Sequence, residues 1–88
     1  MTRSELEQLT DCGHDLAAKV ALAIIAAAQV GPCNMDLQVD METLAKMAEC
    51  LGVSFERDRG IINGHFTQFF IRLTFMEVDA VIYARVNR

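Results

Sequence analysis

The densest group of reactive side chains is the run Asp11-Cys12-Gly13-His14-Asp15. On a helix, Asp11, His14 and Asp15 share one face, because they are spaced by three and four residues. The two carboxylates would then raise the proton affinity of the histidine. On the same helix Cys12 points away from His14, so a cysteine–histidine nucleophile pair is geometrically poor. The run is therefore interpreted as an exposed polar stretch of a helix.

Three cysteines, Cys12, Cys33 and Cys50, together with His14 or His65, offer the ligand types of a zinc site. Structural zinc is usually bound by pairs of ligands separated by two to four residues, whereas these cysteines lie 21 and 17 positions apart. The odd number and the wide spacing favour free thiols that pack as small apolar side chains in a reducing compartment. We therefore expect no metal site and no cofactor.

Sequence motifs for catalysis are few. The chain contains no glycine-rich phosphate loop, no nucleophile-elbow serine and no paired carboxylates in a glycosidase-like setting. Two histidines, one tyrosine and no tryptophan leave little for acid–base chemistry. The sequence predicts a protein that is not an enzyme.

A long N-terminal helix is the first predicted element. Ser4 and Glu7 fit a capping box, and Gly31-Pro32 is a stop signal. Between them, apolar or small residues recur at alternating spacings of three and four, which predicts one continuous helix. Its second half is apolar on the far side as well, so we expect a second element or a second copy to cover it. The candidate interface residues on this helix are Leu22, Ile25, Ala26 and Gln29.

The middle of the chain predicts a strand and a helix. Polar and apolar residues alternate from Asn34 to Met41, which is typical of a short half-buried strand at 35–39. Asp40 is a candidate helix cap and Gly52 a candidate helix end. The apolar positions between them form one face, so a second helix is expected over 41–51.

The C-terminal part has the period of β-structure. Residues 67–75 alternate well, and residues 78–86 are rich in β-branched side chains, so the two segments predict paired strands. A C-terminal helix over 78–86 is the alternative. The predicted fold is α+β, a single domain over 1–88 with the long N-terminal helix and the short helix packed on a small antiparallel β-sheet.

The run Met47-Ala48-Glu49-Cys50-Leu51-Gly52-Val53-Ser54 resembles the end of the first helix and the turn of a helix-turn-helix motif. The resemblance extends to Asn63-Gly64, where a recognition helix would end, and the hairpin after it gives an order similar to a winged helix. It implies DNA binding, with Arg57 and Arg59 facing the groove. The other interpretation of 54–64 is a strand and a turn.

Charge is distributed unevenly along the chain. The net charge is −4, with −5 in residues 1–52 and +1 in residues 53–88. An acidic helical half predicts a protein partner with a basic patch. The exposed side of the predicted hairpin combines aromatic side chains with arginine, a composition that is enriched in protein interfaces. Its candidate interface residues are Phe70, Arg72, Tyr83 and Arg85.

These features predict a non-enzymatic protein-interaction module that forms a homodimer. Small acidic chains without catalytic motifs are typical of phage and mobile-element inhibitors, anti-CRISPR proteins included, so we expect an inhibitor or adaptor that binds a host protein. The alternative is a winged-helix DNA-binding regulator, with nucleic acid as the less favoured partner. The first fifteen residues lack the apolar core of a signal peptide, and the longest apolar run, 20–28, is too short to span a bilayer. A cytoplasmic protein without a membrane partner is expected.

Overall fold

The computed structural model describes residues 1–58 and 66–87, in which three helices cover one face of a four-stranded sheet. The predicted α+β class is confirmed. In chain order the elements are α1 (Arg3–Glu7), α2 (Asp15–Val30), β1 (Cys33–Gln38), α3 (Met41–Leu51), β2 (Glu56–Asp58), β3 (Phe66–Phe75) and β4 (Val78–Asn87).

The prediction of one helix from Ser4 to Gly31 is wrong, because the chain breaks between α1 and α2. Helix α1 ends at Glu7 and turns follow it, and Gly13 then has a φ of +78°, which a helix does not allow. His14 follows in an extended conformation and starts a new helix, its Nδ1 accepting a hydrogen bond from the Ala17 amide at 3.4 Å. The predicted end at Gly31 is confirmed.

The capping box of α1 also differs from the predicted Ser4–Glu7 pair. The Thr2 hydroxyl accepts from the Glu5 amide at 3.2 Å, and the Glu5 carboxylate accepts from the Thr2 amide at 3.2 Å. Leu6 and Leu9, on and just after this helix, are fully buried. The short N-terminal segment therefore contributes two leucines to the core.

Helix α3 has its predicted bounds, with Asp40 at the N-cap position and Gly52 at the C-terminal end, although the Asp40 side chain makes no capping hydrogen bond. It ends in a Schellman motif, in which the Val53 amide donates to the Ala48 carbonyl at 3.0 Å and the Gly52 amide to the Glu49 carbonyl at 3.2 Å. Gly52 takes the left-handed conformation that this motif requires.

The four strands have the spatial order β1-β4-β3-β2. Strands β3 and β4 form the predicted antiparallel hairpin, so the helical alternative for 78–86 is wrong. The sheet is mixed rather than wholly antiparallel, because β1 pairs parallel to β4. The parallel pairing is possible because the connection from β1 to β4 is long and passes through α3, β2 and β3.

One face of the sheet lies under the helices and provides seven of the 17 buried apolar residues in the described part of the chain. Side chains alternate between faces along a strand, so every second residue of β3 and β4 points toward α2 and α3. Alanine occurs twice on this face of β4, which leaves room for the helices to approach. The buried residues of this face are Ile71, Leu73, Phe75, Val78, Ala80, Ile82 and Ala84.

Candidate interaction surfaces

The opposite side of the sheet is not covered by any of the three helices. Strand register places its side chains in rows that run across all four strands. We call this side the open sheet face. Its members are Asn34, Asp36 and Gln38 of β1, Asp79, Val81, Tyr83 and Arg85 of β4, Phe66, Gln68, Phe70, Arg72 and Thr74 of β3, and Glu56 of β2.

An aromatic pair occupies the centre of the open sheet face. Tyr83 lies directly opposite Phe70 in the β3–β4 register, with Gln38 beside Tyr83 and Glu56 beside Phe70. Side chains that lie directly opposite one another on neighbouring strands are within contact distance. Both aromatic residues are half-buried, although no helix covers them. The row therefore presents an apolar centre between two polar edges.

Arg85 extends the aromatic centre toward the end of the hairpin. Its guanidinium carbon lies 4.7 Å from the centre of the Phe66 ring and 5.6 Å from the centre of the Tyr83 ring. Its Nε donates to the Gln68 side-chain oxygen at 3.2 Å. The two rings and the amide hold the positive charge in a fixed orientation at the surface.

A shallow depression of about 380 Å³ lies at the other end of the same face. Arg72 lines it and forms no ion pair with any described residue. The Asp79 carboxylate accepts a hydrogen bond from the Thr74 hydroxyl at 3.0 Å. The depression thus combines both signs of charge on an otherwise flat surface, and its lining residues are Asn34, Met35, Asp36, Arg72, Asp79 and Val81.

A second uncovered surface lies on α2. Leu16, Leu22 and Val30 are 40%, 56% and 91% exposed. The outer face of α2 consists of these three residues with Lys19, Ala23, Ala26 and Gln29, all of which are exposed.

Three of the four interface residues predicted on this helix, Leu22, Ala26 and Gln29, lie on that outer face. Ile25 does not, because it is half-buried and packs against the core. The far side of α2 is thus as apolar as the sequence indicates. Within the described part of the chain, nothing covers it.

The predicted recognition helix is wrong where the structure describes it. After Gly52 the chain forms no helix over 53–55 and then enters β2, where Arg57 pairs opposite Phe69. The Phe55 ring packs edge-on against the Phe69 ring, with 5.5 Å between ring centres, and holds this segment on the sheet. Arg59, the second predicted DNA contact, lies outside the described residues, as do all the positions from 59 to 64 of the segment interpreted as a recognition helix or as a strand and a turn.

The run Asp11–Asp15 does not form the predicted polar helix face, because it contains the break between α1 and α2. His14 is used as a helix cap. In the residues that the structure describes, no group of three or more histidine, cysteine, aspartate or glutamate side chains is placed to hold a metal ion. The sequence did not indicate that Cys12 and Cys50 lie near one another, because residues 38 positions apart share no short-range sequence pattern.

Among the described helices, none is long and apolar enough to cross a membrane. Comparison with known proteins finds no protein-family model, no curated protein and no solved structure that matches this chain.

Proposed function

We propose that this protein is a non-enzymatic protein-interaction module and that the open sheet face is its binding surface. The observation that supports the proposal is the aromatic and arginine cluster on a face that no described helix covers. Tyrosine, phenylalanine and arginine are enriched in protein interfaces, and tyrosine and arginine are frequent among the residues that contribute most of the binding energy. Tyr83, Phe70 and Arg85 have this composition.

The charges around the cluster indicate the chemistry of the partner. Arg72 and Arg85 share the open sheet face with the carboxylates of Asp36, Asp79 and Glu56. The chain as a whole carries a charge of −4. A partner with an apolar centre and a mainly basic rim would therefore be attracted over long range and would satisfy the acidic groups on contact.

The outer face of α2 supports a second part of the proposal, a homodimer. Its exposed leucines and valine are separated by alanines, so a second copy of α2 could approach closely and bury both stripes in a two-fold symmetric contact. This surface lies on the helical side of the molecule, opposite the open sheet face. Dimer formation would leave both open sheet faces free for the partner.

Purification of the tagged protein from its natural host, followed by mass spectrometry, tests the proposal. We expect Phe70→Ala combined with Arg85→Ala to lose the partner that the unmodified chain retains. Ala45→Glu, on the exposed side of α3, is the matched control and should retain it. Circular dichroism must show that each variant is folded.

Two results would overturn the proposed binding surface. One is a partner that stays bound to the Phe70→Ala, Arg85→Ala protein. The other is a shift of a DNA fragment at ~0.1 M salt that weakens steeply with added salt and is lost with Arg57→Ala and Arg59→Ala. The second result would instead support the DNA-binding alternative.

The narrower expectation of a phage or mobile-element inhibitor of the anti-CRISPR type is supported only by small size and acidic charge. It stays a prediction, and so does a cytoplasmic location. Identification of the partner tests the first, and microscopy of the tagged chain in its host tests the second.

A further inference from the structure

Two thiols from distant parts of the chain meet at the break between α1 and α2. Cys12 Sγ donates to the Leu9 carbonyl at 3.1 Å, and Cys50 Sγ donates to the Gln8 carbonyl at 3.5 Å. Gln8 and Leu9 are consecutive, so the two sulfurs approach one short stretch of backbone. Cys12 reaches it from the same turn, and Cys50 reaches it from the last turn of α3.

The surroundings of the two thiols also identify them as neighbours. Both side chains are half-buried and pack against the hydrophobic core. Burial raises the pKa of the Cys50 thiol, and the adjacent Cys12 thiol raises it further. Lys46 and Glu49, the charged groups of α3 nearest to Cys50, act in opposite directions on that pKa. The third cysteine, Cys33, lies on β1 in the row of Val78.

We propose that Cys12 and Cys50 form a covalent modification site, a dithiol that a small-molecule disulfide such as oxidised glutathione converts into an intramolecular disulfide. The Cys12 thiolate attacks one sulfur of the reagent, and the S–S bond of the reagent breaks to release one glutathione thiolate. The Cys50 thiolate then attacks the Cys12 sulfur of the mixed disulfide and releases the second glutathione. The two protein thiols lose two protons and two electrons, and the reagent is reduced to two glutathione thiols.

The order of attack is assigned from the environment of Cys50. The thiolate is the nucleophile in each step. Because the pKa of Cys50 is raised, a smaller fraction of this residue is ionised at neutral pH. We therefore assign the resolving role to Cys50, which leaves Cys12 as the attacking residue.

The native and the unfolded protein should form disulfides between different pairs of cysteines, which makes the site testable. In an unfolded chain, short loops close more readily than long ones. Oxidation in urea should therefore favour Cys33–Cys50 and Cys12–Cys33 over Cys12–Cys50, which has the longest loop of the three. In native buffer the fold should select Cys12–Cys50. Peptide mapping of the full-length chain after treatment with oxidised glutathione distinguishes these outcomes.

A pair of variants tests the mechanism separately. After treatment with oxidised glutathione, native Cys33→Ser protein should lose the mass of two hydrogen atoms and retain no glutathione. Its melting temperature should rise by several degrees relative to the reduced protein, because the disulfide constrains the unfolded chain. Cys33→Ser combined with Cys50→Ser should instead keep one glutathione on Cys12. The proposal is overturned if native Cys33→Ser protein accumulates glutathione adducts without forming the intramolecular disulfide. It is also overturned if Cys33 forms a disulfide with another cysteine of the native unmodified protein.

Discussion

At the scale of single residues, a few groups with special geometry decide where helices begin and end. Gly13 and Gly52 both have positive φ, and each lies at a point where a helix starts or stops. Thr43 is a buried polar residue whose hydroxyl donates to the carboxylate of Asp40 at the start of α3. These contacts are local, and each can be removed by one substitution.

Replacement of Gly52 tests the C-terminal cap of α3. Its φ of +68° is unfavourable for a residue with a Cβ atom, and a Cβ at this position would meet no other atom within 4 Å. Gly52→Ala should therefore lower the free energy of unfolding by about 1 kcal/mol, through backbone strain alone. Urea denaturation measures the change. Gly52→Asn is the control and should lower the free energy of unfolding by less, because asparagine tolerates this conformation. Equal losses for the two variants would contradict backbone strain as the cause.

Thr43→Val tests the pH dependence of the α3 cap. The hydrogen bond from Thr43 is the main reason why the pKa of Asp40 lies below its ordinary value of 3.8. A lowered carboxyl pKa means that this contribution to stability is fully present above the unfolded pKa and is lost as pH falls through the folded pKa. In Thr43→Val the pKa of Asp40 should rise toward 3.8, as measured by carboxyl carbon NMR.

The same substitution makes a prediction about unfolding. The difference in unfolding free energy between the unmodified protein and Thr43→Val should be largest near neutral pH. It should shrink at low pH, where Asp40 is protonated in both proteins. A difference that does not change with pH would show that Thr43 acts through packing and not through the carboxylate.

At the scale of elements, α2 has two apolar sides with different roles. Ala17, Val20, Ala21 and Ile24 are buried against the core. The outer face of α2 carries Leu22 and Val30 into solvent, and large exposed apolar stripes are typical of association surfaces. This asymmetry is the basis of the proposed homodimer.

Ala26→Glu should convert the proposed dimer into a monomer. Ala26 is exposed in the single chain, so the substitution leaves the core unchanged but places a charge at the centre of the outer face of α2. Light scattering at high micromolar concentration measures the mass. Ala45→Glu introduces the same charge on an exposed position of α3 and should remain dimeric. A monomeric mass for the unmodified protein would contradict the dimer.

At the scale of the whole molecule, the sheet separates a stabilising side from a free side. The helix-facing side contains Ile82 of the central strand β4, which is fully buried. The open sheet face contains Arg72, which is exposed and makes no ion pair with a described residue. Stability and binding should therefore depend on different residues of the same two strands.

Ile82→Val and Arg72→Ala should separate these two roles. Loss of one methylene from the packed core should cost about 1 kcal/mol, since the cavity closes only partly. Arg72→Ala should change the free energy of unfolding by less than about 0.5 kcal/mol, as is usual for exposed residues without fixed partners. Urea denaturation compares them. A cost for Arg72→Ala equal to that of Ile82→Val would show that the open sheet face supports the fold.

Local patterns predicted much of the fold. The period of two in β3 and β4 and the capped amphipathic stripe of α3 are visible within windows of about ten residues, because each depends on which side chains a local conformation places together. The same reasoning failed at Gly13, since one glycine in an otherwise helical stripe is tolerated in many helices. The positive φ of Gly13 and the extended conformation of His14 show that the chain turns there.

The sequence by itself determined the α+β class, the end of α2 at Gly31, α3, the hairpin, and the excess apolar surface on α2. The tertiary structure decided how these elements meet: the parallel pairing of β1, the face of the sheet left open, and the approach of Cys12 to Cys50. The physical reason is range. Caps and hydrophobic periods act within a few residues, whereas strand pairing and thiol proximity depend on contacts between residues far apart in the chain.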